Sequence, residues 1–190
     1  MVIAEGLGDV LTLQGVYGEA EQQLTTAQSL AEDRVHKAAL DGKLGGLAFK
    51  MGDIPTARHH LEGGMARLGR PVPRNPALLL CCLLWEVMVQ ATHSLLPRLT
   101  TGRRSPEGHE EDFLAMRIHS MLAYLYWFYS GKVTCAWSHL RGMNLAERYP
   151  PGPELGQAYS EHAPVMTMLP WFGLAAGFLT GKYRTREDLV

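Results

Sequence analysis

"GVYGEAEQQLTTA" (residues 15–27) is the stretch on which the fold turns, because it returns twice more along the chain. "GDIPTARHHLEGG" (52–64) and "GKVTCAWSHLRGM" (131–143) carry glycine, a small residue, leucine and a final small or flexible residue at the same spacing. The four positions are Gly15, Ala20, Leu24 and Ala27, then Gly52, Ala57, Leu61 and Gly64, then Gly131, Ala136, Leu140 and Met143. The glycine suits the left-handed residue that commonly ends a helix. The other three fall at i, i+4 and i+7, one face of the helix that follows. A small residue at the first of them lets a preceding antiparallel helix come close. That preceding helix is visible in "LGDVLTLQG" (7–15) and "LGGLAFKMG" (44–52). The unit is a helix–turn–helix, and its second interval is wide enough for about two units.

Applied along the chain, the same reading predicts helices at about 2–14, 18–31, 35–50, 54–68, 76–97, 110–130, 133–148 and 153–168. Proline and glycine punctuate the breaks at "LGRPVPRNP" (68–76), "LTTGRRSPEG" (99–108) and "YPPGP" (149–153). The helix over 76–97 is apolar almost all round, which predicts burial between neighbours. Cys81 and Cys82, in "ALLLCCLLW", are expected as small core residues. The first helix of the third unit, "SMLAYLYWFYSG" (120–131), lies one residue out of register and is more aromatic.

With Leu7, Gly8, Leu11, Gly15, Tyr17, Ala20, Leu24 and Ala27, and again with Leu44, Gly45, Gly52, Ala57, Leu61 and Gly64, the chain resembles the tetratricopeptide repeat family. The fold class expected is all-α, an array of about four antiparallel helical hairpins over 1–170. Over 68–170, "LGRPVPRNP" (68–76), "LLWEVMVQATHSLLPRL" (83–99) and "HLRGMNLAERYPPGPELGQAYSEHAPVMTMLP" (139–170) resemble the helical-repeat region of large multidomain bacterial signalling proteins, in which a predicted ATPase module and a kinase or cyclase domain accompany the repeats. That resemblance implies a regulatory scaffold, a fragment of a larger chain. "PWFGLAAGFLTGKYRTREDL" (170–189) breaks the pattern and resembles the aldo-keto reductase segment that follows the seventh barrel strand, through Leu174, Gly177, Leu179, Thr180, Gly181, Lys182 and Tyr183. The match implies a backbone segment beside a nicotinamide cofactor. The helical upstream sequence supplies none of the barrel that segment needs, so residues 171–190 are read as a foreign-looking tail. It is not a P-loop either: three residues rather than four separate Gly177 from Gly181-Lys182, and Tyr183 stands where a hydroxyl should reach a metal.

A net charge of −1, with 18 Lys and Arg scattered along 190 residues, argues against nucleic acid as partner. No stretch reaches the ~18 continuous apolar residues of a membrane span, the run 77–85 being stopped by Glu86. Three cysteines without a CxxC spacing fit a reducing, cytoplasmic compartment and no zinc site. His59-His60 lacks a ligand neighbour at i±4. "EGHEED" (107–112) lacks the second histidine of a metalloprotease motif, and its acids suit the N-terminal dipole of the helix at 110. Glu161 and His162 are adjacent on a helix and point apart. No catalytic, cofactor or metal residue is therefore assigned.

The aromatic group Tyr124, Tyr126, Trp127, Phe128, Tyr129 and Trp137 is read first as core between hairpins. If a repeat groove exists, its partner-binding candidates are Tyr124, Trp127, His139 and Arg141, since aromatic and Arg side chains anchor interfaces. The expected function is a non-catalytic scaffold for a protein, a peptide or neighbouring domains. The alternatives are an NADP-dependent aldo-keto reductase fragment, or a truncated or joined chain with no autonomous function. Helix already under way near Met1 suits a fragment, and ends without polar capping repeats would allow self-association.

Overall fold

Gly15, Gly52 and Gly131 each adopt positive φ between two helices, at 79°, 79° and 98°, where a Cβ would be strained. Elsewhere the helix starts are set by short polar caps. Asp33 accepts from the His36 N–H, Asp53 from the Thr56 N–H, and Asn75 from the Ala77 and Leu78 N–H groups, with Pro76 at the first helical position. These signals produce the all-α chain seen in a computed structural model, which describes residues 1–168.

Nine helices follow in order among the described residues: α1 (Val2–Gln14), α2 (Tyr17–Leu30), α3 (Arg34–Lys50), α4 (Ile54–Arg67), α5 (Pro76–Leu95), α6 (Pro97–Thr100), α7 (Glu110–Tyr129), α8 (Lys132–Ala146) and α9 (Pro153–Met168). All eight helices expected from the sequence are present, and α6 is an addition made from the end of the long fifth one. The expectations that fall on the tail, including Leu174 to Tyr183, lie outside the described residues.

Helices α1 and α2, α3 and α4, and α7 and α8 pack as consecutive pairs, while α2 lies on α3, α4 on α7, and α8 on α9. The close approach expected from the small residues is present. A Cβ built on Gly8 would lie 2.8 Å from Leu24 Cγ, and one on Gly45 would lie 2.6 Å from Leu61 Cγ. Ala20, Leu24 and Ala27 of α2, and Ala57 and Leu61 of α4, are buried with at most 1% exposure. One core joins α2 and α3 around Leu24, Leu40, Leu44 and Leu47. A larger one joins α3, α4, α7 and α8 around Leu61, Met65, Ile118, Leu122 and Tyr126.

The third hairpin corrects its sequence register by one residue. Ala136 and Leu140 are only half-buried, whereas Cys135, His139 and Gly142, each one position earlier than the aligned set, are buried. Two contacts establish the shift. Gly64 approaches Asp41 as Gly142 approaches His119, and His60 meets Asp41 as Ser138 meets His119. The displaced element is the turn: Gly131 is the N-cap of α8, the place that Val16 and Asp53 hold in the earlier pairs, so the glycine used for the alignment sits one residue late.

Helix α5 departs further. It was expected inside, yet Leu78, Leu84, Trp85, Met88 and Leu95 are each more than half exposed. Only Glu86 and His93 of its residues are buried. The expectation for the cysteines fails with it, Cys81 being exposed and Cys82 half-buried. The reason is tertiary: α7, not α5, takes the place beside α4, and α5 is left against α8 and the short α6. By length and average composition α5 is also apolar enough to cross a membrane, despite Glu86.

Candidate interaction site around helix α5

The face that α5 turns toward α8 is its polar one. Residues 86, 90 and 93 recur at i, i+4 and i+7, so Glu86, Gln90 and His93 share a stripe. Glu86 Oε1 accepts from Arg141 Nη1 at 2.8 Å, and its Oε2 accepts from Asn144 Nδ2 at 2.8 Å. The same amide also donates to the Glu86 backbone carbonyl at 2.9 Å. One turn further, Glu147 receives His93 Nδ1 at 2.6 Å, Gln90 Nε2 at 3.3 Å and the Tyr159 hydroxyl of α9 at 2.9 Å. Burial, with the Glu147 carboxylate beside it, pushes the Tyr159 phenol up to about 12.

Between the N-terminal half of α5, the 69–73 segment and the α7–α8 pair lies an open cleft of about 390 Å³. Trp85 and Trp137 line it with Pro71, Pro73 and Arg141. Its two arginines are already matched, Arg141 by Glu86 and Arg70 by Asp112. Asp112 in turn accepts from Arg104 and from the Tyr149 hydroxyl, tying the 69–73 and 101–108 segments to the start of α7 and the end of α8. The acids of 110–112 do occupy the first turn of α7, as the sequence suggested.

His119 forms part of the cleft floor. Ser138 Oγ donates its single proton to the His119 carbonyl at 3.1 Å, so His119 Nδ1 must donate to the Ser138 Oγ at 3.0 Å. Ser138 is fully buried, and the pair is therefore a structural brace rather than a nucleophile and base. Burial, then the charges of Arg141 and Arg70, push His119 down to about 3. Burial and the neighbouring His162 push His139 down to about 4, and the two rings stack with Nε2 and Nδ1 2.9 Å apart.

A histidine whose pKa falls on folding binds its proton more readily in the unfolded chain. Its stabilising contribution is complete above about pH 6.5 and shrinks as pH falls toward the folded value. At pH 5 His119 alone is expected to lower stability by about 2 kcal/mol relative to pH 7. The aspartates held below 3.8, Asp41 and Asp112, act only in more acid solution. Urea midpoints at pH 7 and pH 5 measure the loss, and His119→Asn should reduce the difference by roughly half, because the buried His139 contributes a similar amount. Equal midpoints in the parent protein would contradict a buried neutral His119.

Of the four groove residues suggested by the sequence, the cleft contains Arg141 alone. Tyr124 is exposed and meets Phe49 and Phe128 edge-on, at 5.6 and 5.3 Å between ring centres. Trp127 is half-buried against the larger core. His139 faces α9 through His162. The aromatic group is thus divided: Tyr126 and Trp137 are buried, while Tyr124, Phe128 and Tyr129 are exposed. His60 meets Asp41 at 3.2 Å, and Asp41 also receives Gln28 and Arg67. Glu161 and His162 do point apart, toward Ser120 and His139. No cluster of three or more His, Cys, Asp or Glu suited to a metal occurs among the described residues. The sequence reading missed Trp85, Glu86, Asn144 and Glu147. The i, i+4, i+7 test, applied to polar as well as apolar residues of α5, would have found its inward stripe.

The fold and cleft define an all-α protein of packed helical pairs. Comparison with family models, curated proteins and solved structures finds no match to the chain.

Proposed function

We propose that the chain is a non-catalytic interaction scaffold, a tetratricopeptide-like array whose α5 cleft takes a short peptide segment of a protein partner. The array reading is supported by the glycine–leucine contact shared by Gly8–Leu24 and Gly45–Leu61, and by each second helix packing on the first helix of the next pair. The observation that carries the binding reading is the cleft itself, where Trp85, 64% exposed, stands with Trp137 above neutralised arginines. Tryptophan and arginine are the residues most often dominant at interfaces. With both cations already paired, the cleft favours an apolar or aromatic side chain over a highly charged one. The scaffold belongs to the regulatory region of a larger signalling protein and works in the cytoplasm.

Selection of a displayed peptide library on the purified chain tests this. Enriched peptides should share a short apolar or aromatic motif and bind the Trp85→Ala variant at least 10-fold more weakly. Absence of enrichment, or peptides indifferent to Trp85→Ala, would remove the cleft from the proposal. A parallel NADPH titration followed by fluorescence is expected to show no saturation. Micromolar affinity would replace the scaffold with a nicotinamide-dependent reductase.

A further inference from the structure

The outward face of α5 has an order of its own. Ala77, Cys81, Leu84, Met88, Ala91 and Leu95 are all exposed and are spaced alternately by four and three residues. That is the apolar seam of a helix made to lie along another helix. Leu84, Met88 and Leu95 are 57%, 66% and 80% exposed, and Leu78, Leu80, Trp85 and Val87 flank them. These seven side chains leave on the order of 700 Å² uncovered, more than the ~300–600 Å² of a typical monomer's largest patch and near the ~800 Å² each partner gives to a standard interface.

We infer that this face is the interface of a homodimer, α5 lying antiparallel against α5 of a second copy. Three observations select a second copy. The only carboxylate of α5, Glu86, is turned inward onto α8 along with His93, so the face meets itself without like-charge repulsion. The seam is also self-complementary about position 86. A two-fold axis there sets Ala77 against Leu95, Cys81 against Ala91, and Leu84 against Met88, each pair made twice as an isologous contact requires. Small residues thus oppose large ones at both ends, and two small residues meet in between. Finally, no Lys or Arg occurs between Pro76 and Leu95, whereas helices that lie on membrane surfaces carry cations beside their apolar face.

The interface adjoins the peptide cleft, since Cys81 and Trp85 line both, but Leu84, Met88 and Leu95 do not line that cleft and so report on the dimer alone. Sedimentation equilibrium of the full chain over a range of concentrations is the test. The parent protein should be dimeric at micromolar concentration. Leu84→Glu with Met88→Glu should weaken association at least 100-fold while the far-ultraviolet circular dichroism is retained. Leu13→Glu, at a more exposed site on α1, should leave the dimer intact. Orientation has its own readout: with oxidised glutathione, Ala91→Cys should give a covalent dimer through Cys81 of the other copy. The parent should not, since antiparallel packing holds the two Cys81 residues ~15 Å apart along the axis.

A monomer at all concentrations would overturn the proposal. So would dissociation by Leu13→Glu, or a dimer that Ala91→Cys fails to lock. Co-sedimentation with phosphatidylcholine vesicles that is abolished by the Leu84→Glu, Met88→Glu pair would assign the face to lipid instead.

Discussion

Gly45→Val is expected to destabilise the protein by about 3 kcal/mol or more, because the site has no room for even one carbon. A Cβ there would lie 2.6 and 2.8 Å from Leu61 Cγ and Cδ2, and 3.2 Å from the Ala57 carbonyl oxygen. Leu61 is 1% exposed and cannot swing into solvent, so α3 and α4 must separate. Gly45→Ala should cost less, about 1–2 kcal/mol, because alanine's better helix propensity returns up to about 1 kcal/mol. Gly6 on α1 has nothing within 4 Å of its built Cβ, and Gly6→Ala should be neutral or stabilising by about 0.5–1 kcal/mol. Urea titration followed by circular dichroism measures all three. If Gly45→Ala were as harmless as Gly6→Ala, the α3–α4 approach described above would be wrong.

Glu86→Ala should cost about 2–4 kcal/mol, the range for breaking a buried pair, reduced because the Arg141 side chain keeps 37% exposure. The loss falls on two partners. Asn144, 1% exposed, loses an acceptor while its Oδ1 has no partner among the described residues, and Arg141 loses the one carboxylate it meets among them. Because α5 touches little besides α8, the effect should concentrate there: its amides should exchange faster than those of α7 and α3. Glu86→Gln keeps an acceptor for Asn144 and should cost roughly half as much. Equal exchange in α5 and α7 after Glu86→Ala would mean that α5 is held instead by its half-buried apolar residues, among them Leu79, Leu83 and Val89.

These variants divide the molecule by how far it can be read from its sequence. Gly45 was legible: a small residue sixteen positions before Leu61, with a turn glycine between them, repeats the relation of Gly8 to Leu24. Glu86 was visible only as a charge interrupting an apolar run, and its partners, 55 and 58 residues away, carried no mark of the pairing. The cleft was legible in Arg141 alone. Tyr124, Trp127 and His139 belong to different faces of α7 and α8, and adjacency in a list of aromatic and polar residues says nothing about which face each one takes.

By itself the sequence determined the all-α class, the helix boundaries to within about two residues, and the tight pairing of α1 with α2 and α3 with α4. All of these rest on local rules: a 3.6-residue period, caps read within three residues, and glycine where φ must be positive. Tertiary structure alone decided that α7 rather than α5 stands beside α4, that the second helix of the third pair shares the one-residue shift visible in its first, and that α5 turns its polar stripe inward and its apolar seam outward. The physical reason lies in the helix itself. An apolar stripe and a polar stripe on opposite sides specify an orientation only relative to a neighbour, and here the neighbour, α8, offers Arg141, Asn144 and Glu147. Burying those groups without partners would cost more than leaving leucines in water.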